Sequence, residues 1–147
     1  MCAPEYCSAL SDAELIAAIE SCTLEAEFHH ADHIRLAWIY LRAMPEPQAA
    51  QRMCETINRF AAHKGKAERY HHTITLAWIR LVSAVLRTVP ASDSFLEFIS
   101  ANPHLCNQQT LARHYSQQLL DSPAARAQWV APDRAPLPGA TLCKEAL

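Results

Sequence analysis

Apolar and polar positions follow the three-to-four-residue period of amphipathic helices along almost the whole chain. The stop and start residues fall where such helices need them. Ser11-Asp12-Ala13-Glu14 opens a short first helix, with Ser11 as N-cap and Glu14 at the capping-box position. A second helix is predicted over residues 24–43, stopping before Pro45. A third covers 47–64, with Pro47 in its first turn and Gly65 as its C-terminal stop. A fourth covers 67–89 and is ended by Pro90. Ser92 caps a short fifth over 93–101, a sixth covers 108–120, and a short seventh starts at Ser122-Pro123. Beyond residue 131, Pro132, Pro136, Pro138 and Gly139 preclude regular helix. The pattern predicts an all-α, single-domain bundle of about six or seven helices over 11–130, built around helices two, three, four and six. An N-terminal arm (1–10) and a Pro-rich, extended or disordered C-terminal tail (131–147) flank it.

Composition narrows the function classes. With 147 residues, half of them apolar and 19% charged, the chain can bury a core without staples and does not read as disordered. A formal net charge of −2 provides no basic field for nucleic acid or an anionic membrane. Two glycines, Gly65 and Gly139, leave no Gly-rich phosphate loop and disfavour a β-rich fold. The N-terminus has neither a basic start nor an apolar run, so it does not read as a signal peptide, and no stretch suits a membrane span. Six cysteines are scattered without a CxxC pair. They suggest reduced thiols in a cytoplasm rather than a zinc ribbon or a disulfide framework.

The chemistry lies in two related segments, Phe28-His29-His30-Ala31-Asp32-His33 to Trp38, and Tyr70-His71-His72-Thr73-Ile74-Thr75 to Trp78. Advancing about 100° per residue puts His30 and His33 on the apolar stripe of helix two and His71 at the centre of the stripe of helix four, with His72 at its margin. Asp32 points largely away. Short connections make helices two, three and four antiparallel neighbours, so helices two and four run in the same direction. His30, His33 and His71 are then expected at one level, with His63 nearby as a helix C-terminal cation. Buried imidazoles need partners for their ring nitrogens, and a transition metal supplies one.

The leading expectation is a small cytoplasmic metal-dependent enzyme, a non-haem oxidoreductase acting on a small molecule. One transition-metal ion, iron or copper in preference to zinc, is held by His30, His33 and His71, with Glu68 completing the set. Glu27 and Asp32 are alternative ligands or acceptors of imidazole N–H bonds. His30, His33, His71 and His72 carry the chemistry, and Trp38, Tyr70, Thr75 and Trp78 line the substrate pocket. The alternatives are a metal-free histidine acid/base enzyme (isomerase, dehydratase or cyclase), or a non-catalytic helical interaction module. Nucleic acid and membrane are not expected partners, and a homodimer is open. His104 and His114 are assigned to the surface.

These two segments, with Phe60-Ala61-Ala62-His63, Ala101-Asn102-Pro103-His104-Leu105 and Ser122-Pro123-Ala124-Ala125-Arg126, resemble a group of small bacterial all-helical proteins. The resemblance spans about residues 24–138 and implies a helical fold but no reaction. Position 72 looks acidic in that group, so His72 departs from its pattern.

Overall fold

A computed structural model describes residues 9–89 and 91–138. The chain is all-helical, as the apolar period predicts: eight α-helices, two 3-10 turns and no strand among the described residues. No helix among them is long and apolar enough to cross a membrane. The contacts cluster into two compact units, Met1–Tyr70 and His71–Leu147.

The first unit holds α1 (Asp12–Glu20), α2 (His30–Ala43), α3 (Glu46–His63) and a 3-10 turn at Ala67–Arg69. The capping box at the start of α1 forms as expected: Ser11 Oγ accepts from the Glu14 amide, and Glu14 Oε1 accepts from the Ser11 amide. Gly65 ends α3 with a φ of +72°, the left-handed conformation that glycine adopts without a Cβ penalty. α3 packs against both α1 and α2. Leu15, Ile19, Ile34, Leu36, Trp38 and Met53 are at most 2% exposed and form the core of the unit.

Polar clamps tie its helices together. The guanidinium of Arg35, itself buried, donates to Asp12 Oδ1 from Nε (3.1 Å) and Nη2 (2.8 Å), and to the Leu10 carbonyl (2.8 Å). The Tyr40 hydroxyl donates to Glu20 Oε2 (2.6 Å) and lies 3.2 Å from Thr56 Oγ1. Arg52 grips both oxygens of the same carboxylate, at 3.0 and 3.1 Å. Burial, then the Glu20 contact, pushes the Tyr40 phenol up to about 12.

The second unit holds α4 (His72–Thr88), α5 (Phe95–Ala101), a 3-10 turn at Pro103–Cys106, α6 (Gln109–Ala112), α7 (Gln117–Leu120) and α8 (Pro123–Ala127). α4 packs on α8. Phe98, Ile99, Leu105 and Tyr115 are its most buried large apolar side chains, together with Ile79 and Val82 of α4. Where one helix is predicted over 108–120, there are two. Ser116 breaks the run by capping α7, its Oγ accepting from the Leu119 amide (3.1 Å). Asp133 holds that break, accepting from both the amide (2.8 Å) and the hydroxyl (2.6 Å) of Ser116.

The same contact bears on the C-terminal segment. Residues 131–138 lack helix, as the prolines require, but they are fastened. The Arg134 amide donates to the His114 carbonyl (3.0 Å), Arg134 Nη1 to the Ala112 carbonyl (2.8 Å), and Leu137 is 3% exposed. The rest of the expected tail, and the arm at 1–8, lie outside the described residues.

The clamp on Glu20 yields a test. Tyr40→Phe leaves Glu20 still paired with Arg52. It should therefore cost about 1–2 kcal/mol, read as a lower urea midpoint at unchanged slope. An unchanged midpoint would show the hydroxyl contributes nothing.

Candidate histidine sites at two helix starts

Both histidine-rich segments are helix starts, not helix interiors. α2 begins at His30 rather than at residue 24, and α4 at His72 rather than at residue 67. His29 and His71 are therefore N-cap residues in extended conformation, and His30 and His72 are first helical residues. The stripe of α2 still runs from His30, but His71 lies outside the regular turns of α4 and so off its stripe.

At the start of α2, the Asp32 side chain turns back: its Oδ2 accepts from the His29 amide at 2.9 Å. Asp32 was expected to point away, yet it is fully buried. A carboxylate in the first turn satisfies an orphan N–H and sits at the positive end of the helix dipole. The His29 ring lies between two carboxylates, 3.7 Å from Glu27 Oε2 and 3.6 Å from Asp32 Oδ2. His33 follows His30 by three residues, one turn along the same helix. Phe28 meets the His33 ring edge-on at 4.5 Å between centroids, and Phe28 in turn packs on Phe60 at 5.5 Å. His33 keeps some accessible surface, but the atoms packed around it, and then His30, push its pKa down to about 4. His33 is thus a neutral imidazole at pH 7.

At the start of α4, His71 is buried and both ring nitrogens are engaged with the main chain. Nδ1 accepts from the Ile74 amide (3.1 Å), which places the proton on Nε2, and Nε2 donates to the Leu120 carbonyl (2.7 Å). A metal ligand needs a ring nitrogen with its lone pair unused, so His71 does not fill the role expected of it in this state. His72 is half-buried, its pKa lowered by burial and then by His71.

The remaining expected site residues divide between the units. Glu68 is exposed in the 3-10 turn of the first unit. Trp38 is buried there, with the Arg42 guanidinium 4.4 Å from its ring centroid. Half-buried Tyr70 bonds to the Cys54 thiol, and burial raises the pKa of both groups. In the second unit Trp78 is buried, and the Thr75 hydroxyl donates to the His71 carbonyl (2.8 Å). His30 and His33 fall in the first unit and His71 and His72 in the second. Among the described residues, no group of three or more His, Cys, Asp or Glu side chains is placed to hold a metal ion.

Elsewhere, His63 is exposed as the last residue of α3, where the dipole favours a cation. His104 is exposed, but His114 is half-buried, with Nδ1 2.9 Å from the Ala135 carbonyl oxygen. Cys22, Cys54 and Cys106 are free thiols. Thr73 is fully buried and reaches the segment after α8. Set against family models, curated proteins and solved structures, the chain finds no match.

His33 makes a prediction about acid stability. Its folded pKa, about 4, lies below the ordinary 6.5. Its contribution is therefore complete above pH 6.5 and is lost as pH falls from there towards 4. The shift corresponds to at most about 3 kcal/mol in the metal-free protein. Urea midpoints measured across that window should fall with acidity in the native chain and fall less in His33→Gln. Parallel profiles would contradict the neutral, closely packed His33.

Proposed function

We propose that the protein is a small cytoplasmic metal-dependent enzyme acting on a small molecule, with its ion held at the start of α2 by His30 and His33. The observation that carries this reading is the pair itself: two imidazoles one helical turn apart, with His33 kept unprotonated at neutral pH. Two protein ligands leave coordination positions for water and substrate, and Phe28 and Phe60 supply an apolar flank. Iron or copper bound there would supply oxidoreductase chemistry, and zinc would supply an activated water.

A second reading, a non-catalytic helical module whose histidines serve the fold, is favoured by His71, whose ring is wholly committed to main-chain bonds.

Calorimetric titration of tag-free protein with copper, zinc and ferrous ions separates the two. The first reading expects one ion per chain, weakened at least about tenfold by either His30→Ala or His33→Ala and unaffected by His104→Ala. Binding that is absent, or indifferent to His30 and His33, would overturn it in favour of the second.

A further inference from the structure

The first turn of α4 does more than start a helix. Thr73 lies in it, and its hydroxyl serves the extended segment that follows α8: Oγ1 donates to the Gln128 carbonyl (2.8 Å) and accepts from the Val130 amide (3.2 Å). The Val130 carbonyl in turn accepts from the Tyr115 hydroxyl (2.8 Å), beside the Tyr115–Trp129 edge contact. The turn that carries Thr73 is itself held by His71. Nδ1 takes the Ile74 amide, and the His71 carbonyl takes the Thr75 amide (3.1 Å) and hydroxyl (2.8 Å).

Only an unprotonated Nδ1 can accept that bond, because the Nε2 proton is already committed to the Leu120 carbonyl. A second proton would set N–H against N–H at the positive end of the α4 dipole. We propose that His71 is a proton-operated latch: protonation at Nδ1 removes the cap of α4, frays its first turn, and through Thr73 loosens the segment at 128–130. The charged and titratable groups acting on the ring are Arg126 of α8, which opposes the proton, Asp121 at the end of α7, which favours it, and the neighbouring His72. Burial is the largest influence and opposes protonation, while the Leu120 bond favours it. The balance sets the opening below the ordinary histidine range.

Residue-resolved amide exchange of the full chain, corrected for intrinsic rates, tests this between about pH 7.5 and pH 5. Relative to the Trp78 amide in the body of α4, protection at Ile74 and Val130 should drop together by about fivefold on acidification, the effect of one lost cap. In Thr73→Val the Ile74 drop should persist while the Val130 amide becomes unprotected at every pH. In His71→Asn, which caps without titrating, protection at both should stay level. Flat profiles for Ile74 and Val130 in the native chain would overturn the latch, and so would the same drop in His71→Asn.

Discussion

His71 closes the start of α4 by accepting the Ile74 amide at one ring nitrogen while donating from the other to the Leu120 carbonyl. That single buried ring settles where the fourth helix begins, which tautomer it holds, and where the end of α7 is tied down. An N-cap of this kind contributes about 1 kcal/mol, and a buried hydrogen bond a similar amount. Those sums are small against the whole, but leaving the Ile74 and Leu120 groups without partners in a buried setting would cost about 1–3 kcal/mol each. Thr73, Thr75 and the segment at 128–130 depend on the same turn being wound.

The start of α2 solves the same problem with different chemistry. There the carboxylate of Asp32 does the capping, turning back to the His29 amide, and the histidines are set around it. The paired sequences Phe-His-His and Tyr-His-His therefore mark two helix starts of related design. One engages its cap histidine through the ring and the other through the backbone amide. His30 and His33 stand outside that capping bond, and His33 is kept neutral by its packing, which is why the proposed metal chemistry is assigned to them and not to His71.

Much of the fold was legible in the residues. Ser11 and Glu14 announced α1, Gly65 ended α3, Ser122-Pro123 opened α8, and the apolar period marked the chain as all-helical. The misread starts of α2 and α4 share one cause. Histidine is a weak capping signal next to Ser, Thr, Asp or Asn, so an apolar period that runs through it looks like uninterrupted helix. The signal that could have corrected α2 was Asp32, three residues after His29 at the capping-box position. Ser116 offered the same hint for α7. The roles of Thr73, Tyr40 and Arg35 were not legible, because each bonds to a residue distant in sequence that no local pattern marks.

The site residues were legible as a set of types but not as an arrangement. Moving the start of α4 from residue 67 to His72 placed His71 outside the helix, and this turned it from an expected ligand into a cap. The most direct measurement of that claim is a long-range nitrogen–proton correlation spectrum of the histidine rings near pH 7.5. His71 should show a single neutral tautomer, with the proton on Nε2 and Nδ1 unprotonated. A ring averaging between tautomers, or one carrying its proton on Nδ1, would contradict the account.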